Sequence, residues 1–169
     1  MLWTLLPELA RFVSALEQLQ KELLTLLQTK RRAFDEFNAA EMVRLSEQES
    51  VLTGRLQALV GKRAELLEKA RLGGLEVGSL QELSGAIGKD VGDARVRAAV
   101  DQVQMQLRRS QERTAELQRE CWVHWIISHR CYNHYTELLE LIAHGGHQAP
   151  TYGDRNPTAT GGALLDAAA

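Results

Sequence analysis

One amphipathic run, Val96 to Ile142, constrains this chain more than any other stretch. Val96, Val100, Val103, Leu107, Leu117, Cys121, Cys131, Tyr135, Leu138 and Ile142 keep a spacing of three and four, with Ser110, Thr114, His124 and Ser128 at the intervening seam positions. That period specifies one helix. From a cap near Asp93 to the Gly145-Gly146 pair it would measure about 75 Å at 1.5 Å per residue, longer than a compact domain of this size is wide. Such a helix needs long partners. Its second half adds Trp122, Val123, Trp125, Ile126, Ile127, Tyr132, Leu139 and Leu141 outside the seam. Apolar side chains then cover well over half the circumference, more than a single partner face can cover.

The rest of the chain agrees with a helical class. Pro occurs three times in 169 residues, and no β-branched run bounded by turns suggests a strand, so the chain reads as all-α with coiled-coil character. A formal net charge of −2 with mixed signs lacks the excess of Lys and Arg that phosphate neutralisation requires, which argues against nucleic acid or an acidic membrane as partner. Lys30-Arg31-Arg32 and Arg108-Arg109 read as solvated helix surface. The opening Met1-Leu2-Trp3-Thr4-Leu5-Leu6 has no basic region and no cleavage site, and no apolar run reaches membrane-spanning length. A cytoplasmic location is expected. Cys121 and Cys131 lie ten residues apart on one helix, about 15 Å by helical rise, too far for a mutual disulfide.

Leu5, Leu9, Phe12, Leu16, Leu19, Leu23, Leu26, Lys30, Ala33 and Phe37 set out a first helix, with Pro7 in its first turn, where a missing N–H is harmless. Asn38-Ala39-Ala40-Glu41 reads as a capping box, with Phe37 and Met42 placed as a hydrophobic staple. A second helix follows, with Met42, Leu45, Glu49, Leu52, Leu56, Leu59, Arg63, Leu66 and Ala70 in its seam. Folding back at Asn38 sets Leu26 against Leu52, Leu23 against Leu56, Phe12 against Leu66, and Lys30 against Glu49. The last pair reads as a register device. Gly54 and Gly61, one heptad apart, suggest either close approach of the long helix or simple tolerance. Glycines from Gly73 to Gly92 mark a linker, inside which Ser79-Leu80-Gln81-Glu82 caps a short helix docked through Leu80, Leu83 and Ile87.

These readings give an antiparallel helical hairpin plus a long third helix in a three-helix, coiled-coil-like bundle. The helical domain spans 1–147, with helices at about 5–37, 39–71, 80–87 and 93–144, and a flexible tail spans 148–169. A third helix antiparallel to the second reaches the Asn38 turn near Trp125 or Ile126. Beyond that point Tyr132, Tyr135, Leu138, Leu139, Leu141 and Ile142 form more apolar surface than a monomer usually leaves bare. Three outcomes are open: the surface binds another polypeptide, a shifted helix buries it as core, or two copies of the chain cover each other. The pairs Cys121 with His124 and Cys131 with His134 each place two ligands on one face, but they point apart and cannot share one ion. No cofactor or metal is expected. The sequence has no nucleophile–base spacing and no phosphate loop, so catalysis is not expected either.

The opening helix pair, the turn Phe37-Asn38-Ala39-Ala40-Glu41, the run Leu45-Ser46-Glu47-Gln48-Glu49-Ser50-Val51-Leu52, the glycine-rich linker with Leu80 to Leu83, and the tail Thr151-Tyr152-Gly153-Asp154 together resemble the FlgN family of bacterial flagellar export chaperones. The likeness covers nearly the whole chain. It implies a cytosolic chaperone that keeps hook-associated (hook-filament junction) proteins unpolymerised and delivers them to the type III export gate. It also implies cargo binding through Trp122, Trp125, Ile126, Tyr132, Tyr135, Leu138, Leu139 and Ile142, with Tyr152 and Gly153 docking at the gate. The competing class is a structural coiled-coil spacer with no export role.

Overall fold

The computed structural model describes residues 2–89 and 93–143. The tail expected at 148–169, with Tyr152 and Gly153, lies outside the described residues. After a 3-10 turn at Leu2–Leu5 come four helices: α1 Leu6–Asp35, α2 Ala39–Leu72, α3 Leu80–Lys89 and α4 Ala94–Ala143. The described residues contain no strand, and the protein is all-α. Two compact units divide the chain, Met1–Trp122 and Val123–Ala169, with the boundary falling within α4.

In the first unit, short polar signals set the helix ends. The side chain of Asn38 accepts the Glu41 N–H at 3.1 Å and so starts α2. Its capping box is one-sided, because the Glu41 carboxylate turns to Arg44 instead of back to Asn38. The Ser79 hydroxyl accepts the Glu82 N–H at 3.1 Å, while the Glu82 carboxylate accepts the Gly78 N–H at 2.8 Å, so both partners of the α3 cap are engaged. Asp93 caps α4 by accepting the Arg95 N–H at 2.8 Å.

Helices α1 and α2 end in the same way, with one difference. In α2 the N–H of Leu75 reaches the carbonyl of Ala70 across Gly74, whose φ is +86°. This is the left-handed closure that glycine adopts without strain. In α1 the N–H of Asn38 reaches Ala33 and that of Phe37 reaches Phe34, so Phe37 takes the left-handed position at φ +53°. A bulky L-residue there costs about 1–2 kcal/mol. The Phe37 ring is 91% exposed, so the expected staple with Met42 does not form. The left-handed turn carries the ring outward, away from the first turn of α2.

The α1–α2 ion pairs run in opposite senses along the two helices: Glu8 with Lys69 at 2.6 Å, Glu22 with Arg55 at 2.5 Å, and Lys30 with Glu49 at 2.5 Å. The Lys30–Glu49 contact is the one read from the seam. Near the hairpin turn Leu26, Ala33 and Leu45 bury one another, with Leu52 alongside. Farther from it Leu9, Phe12, Val13 and Leu19 of α1 meet Leu59, Leu66 and Ala70 of α2 in the main core. Leu80, Leu83 and Ile87 of α3 and Val100, Val103 and Leu107 of α4 complete that core. Helix α1 is the central element, with nine buried residues against four in α2.

On α2 the pairing expected of Leu56 fails, and of the two readings of its glycines tolerance is the one that fits. Leu56 is 38% exposed instead of sealed against Leu23, and a Cβ at Gly54 or Gly61 would meet nothing within 4 Å. The long helix therefore does not approach α2 at these glycines. The close approach is at Gly88 in α3, where a Cβ would lie 3.1 Å from Cγ1 of Val100.

Beyond Leu107 the contact between α4 and α1 becomes polar. The amide of Gln20, which is 4% exposed, donates to the Ser110 carbonyl and to Thr114 Oγ1, both at 3.0 Å. Arg113 pairs with Glu17 at 3.0 Å and Arg31 with Glu120 at 3.2 Å. Lys21 also reaches Glu17, and hydrogen bonds from Lys21 and Arg113 hold the Glu17 carboxyl below its ordinary range. One acceptor, Gln20 Oε1, and one donor, Arg113 Nη1, are buried without a partner in this layer.

Candidate functional site: an exposed aromatic and aliphatic face

The second unit is described through Ala143, and within that stretch its backbone is the continuous helix α4. Leu, Ile and aromatic residues suit a helix interior here because no Gly or Pro interrupts Val123 to Ala143. Their side chains do not form a core. Trp125, Ile126, Tyr132, Tyr135, Leu138, Leu139, Leu141 and Ile142 are all exposed, from 39% at Leu138 to 70% at Tyr132. Trp122, the last residue of the first unit, is also exposed.

Exposure alone does not make a surface; direction does. At 100° per residue, Tyr132, Tyr135, Leu138, Leu139 and Ile142 fall within an arc of about 120°, the width of a helix face that normally faces a core. Cys131, a free and exposed thiol, lies inside the same arc. Trp125 sits at its edge, stacked on His129 with ring centroids 5.2 Å apart and planes 6° from parallel. Ile126 points to the opposite side, and Leu141 lies off the arc. The charged residues of this segment, Arg130, Glu137 and Glu140, all fall on the far side. Allowing about 100 Å² for each half-exposed large side chain, the five arc residues present roughly 500 Å² of mostly apolar surface. That is near the upper end of the largest apolar patch on a typical monomer, and such patches are often functional.

Local hydrogen bonds leave the face itself uncommitted. Thr136 returns its hydroxyl to the Tyr132 carbonyl at 2.9 Å, and Asn133 and His129 meet at 3.4 Å on the polar side. His134 and Tyr135 lie at 6.3 Å with their rings tilted. The arc offers shape and apolar area, with tyrosine hydroxyls to orient whatever covers it.

No group of three His, Cys, Asp or Glu able to hold a metal ion occurs among the described residues. Partial burial, and then the nearby Glu49 and Glu120 carboxylates, push the Cys121 thiol above its ordinary range, which disfavours the reactive thiolate. A surface groove lies between α1 and α2, floored by Leu26, Leu45 and Leu52. On its rim Thr25 and Thr29 spend their hydroxyls on their own helix, on the carbonyls of Lys21 and Thr25. No described helix is long and apolar enough to cross a membrane.

Sequence reasoning missed a second set of exposed apolar side chains, Val43, Val51 and Val60 on α2. They lie outside the seam that pairs with α1, and that position was the only available signal. Comparisons with protein-family models, with curated proteins and with solved structures found no match.

Proposed function

We propose that this chain is a cytoplasmic export chaperone of the FlgN kind, without enzymatic activity or cofactor. It binds a helical terminal segment of a hook-associated (hook-filament junction) protein, keeps that protein from assembling early and delivers it to the flagellar type III export apparatus. Tyr152 and Gly153 serve as the docking point at the export gate. The working arrangement is an antiparallel hairpin carrying a long third helix in a coiled-coil-like bundle. The chain does not act through nucleic acid or membrane insertion.

The observation that supports this reading most is the uncharged face formed by Tyr132, Tyr135, Leu138, Leu139 and Ile142, left exposed on a continuous helix. Helix-on-helix recognition uses such a face, with apolar anchors at i, i+3, i+4 and i+7 and aromatic rings contributing disproportionately to affinity. The resemblance in the hairpin turn, linker and tail supplies the export context.

Co-purification with a hook-associated protein tests the proposal. A one-to-one complex is expected, and Tyr135→Asp or Leu138→Asp should weaken it at least tenfold while the circular dichroism of the free chain stays unchanged. A charge inserted into a desolvated apolar contact costs well over the 1.4 kcal/mol that a tenfold loss requires. Failure to retain any hook-associated protein, or full retention by both variants, would overturn the reading.

A further inference from the structure

The exposed arc belongs to a seam whose two ends differ in size. Reading α4 from His124, the seam positions are His124, Ser128, Cys131, Tyr135, Leu138 and Ile142. The first three are small or polar and the last three are bulky. A parallel pairing of two such helices would set Tyr135 on Tyr135 and Ile142 on Ile142, and would leave Ser128 facing Ser128 across a gap. An antiparallel pairing instead sets each bulky residue against a small or polar one. Ile142 meets His124, Leu138 meets Ser128, and Tyr135 meets Cys131. All three pairs are centred on the same residue, Asn133, so one register satisfies them together. Two of the three layers, Leu138 with Ser128 and Tyr135 with Cys131, then hold one large and one small side chain, which is how facing helices interdigitate without voids.

We propose that in the protein on its own this face is covered by the same face of a second copy, the two α4 segments running antiparallel about Asn133. The proposal concerns the free chain and does not depend on the export role. Charge permits the pairing, since Arg130, Glu137 and Glu140 lie on the far side and bring no like charges into the contact. Trp125, Tyr132 and Leu139 share one flank of the seam, and antiparallel helices bring like flanks together. This adds aromatic area to the three central layers. With Trp125 included the face supplies roughly 600 Å² per copy, short of the roughly 800 Å² per partner of a standard stable interface. The dimer is therefore a reversible one that a better-fitting helix can replace.

Sedimentation equilibrium of the full chain should show a monomer–dimer equilibrium that shifts with protein concentration. Leu138→Asp should raise the dimer dissociation constant at least tenfold with helicity preserved. Orientation is read by cross-linking in a Cys121→Ser background under mild oxidation with oxidised glutathione. Tyr135→Cys should trap a dimer through a bond between Cys131 of one copy and the introduced thiol of the other, located by peptide mass spectrometry. A chain that stays monomeric at every accessible concentration would overturn the proposal. So would ready formation of a Cys131-to-Cys131 bond in the background chain, which marks a parallel pair. A monomer that still captures a hook-associated protein removes this inference and leaves the proposed function standing. A dimer with no affinity for such a protein does the reverse.

Discussion

The two parts of α4 carry the same three-and-four rhythm and meet opposite fates. In the first unit Val100, Val103 and Leu107 are 2–7% exposed, sealed by α1 and α3. In the second unit Tyr135, Leu138 and Ile142 continue the seam and are 39–63% exposed. Between them the seam passes through Ser110 and Thr114, where hydrogen bonds to Gln20 replace apolar contact. Periodicity states which side of a helix is apolar and does not state whether anything covers it. A seam that ends in a core and a seam that waits for a partner have the same sequence signature.

The most direct way to break this comparison is to truncate one leucine in each part. Leu107→Ala removes a side chain from the packed core and should cost about 2–5 kcal/mol in urea unfolding. Leu139→Ala, at an exposed position, should change the stability of the protein at low concentration by less than about 0.5 kcal/mol. Equal losses would mean that the second part is as well covered as the first. A smaller effect of opposite sign is expected on α2. Because Gly54 and Gly61 face open space, Gly61→Ala should raise stability by about 1 kcal/mol through helix propensity alone. A loss at this position would reveal a covering element on that face. The smallest effect concerns the polar layer. Glu17 titrates below its ordinary value of 4.5 because Lys21 and then Arg113 hydrogen-bond its carboxylate. Its stabilisation is fully present above pH 4.5 and is lost as the pH falls through the lowered value. Glu17→Gln should therefore lower the melting temperature slightly at pH 7 and shrink the further drop between pH 5 and pH 3; an unchanged drop would remove Glu17 from the contact.

Much of the helical arrangement was legible because local rules and pattern agreed. The all-α class, the caps at Asn38, Ser79 and Asp93, and the Lys30–Glu49 contact follow from side chains acting within a turn or across a fixed seam. What was not legible depends on three-dimensional cover. Phe37 reads as a staple residue, but it closes α1 in a left-handed turn and points outward. Gly54 and Gly61 carry the spacing of a close approach, while the approach occurs at Gly88, which reads as linker punctuation. Leu56 fits the hairpin seam, yet nothing seals it. For the candidate site the chemistry of each residue was readable and its exposure was not. The sequence suggested an exposed face and left a buried one open beside it.

The buried amide of Gln20 has one further consequence. Heptad seams repeat, so a long helix can slip along its neighbour by seven residues and still present apolar side chains. A slip of one heptad in either direction would bring Val103 and Leu107, or Leu117 and Cys121, to the place now held by Ser110 and Thr114. The Gln20 amide would then lose its bond to the Thr114 hydroxyl, a loss of about 0.5–1.5 kcal/mol, while its other bond goes to a main-chain carbonyl and does not depend on the side chain there. This one side chain acts as an index mark, making one of several near-equivalent alignments of α1 and α4 the preferred one.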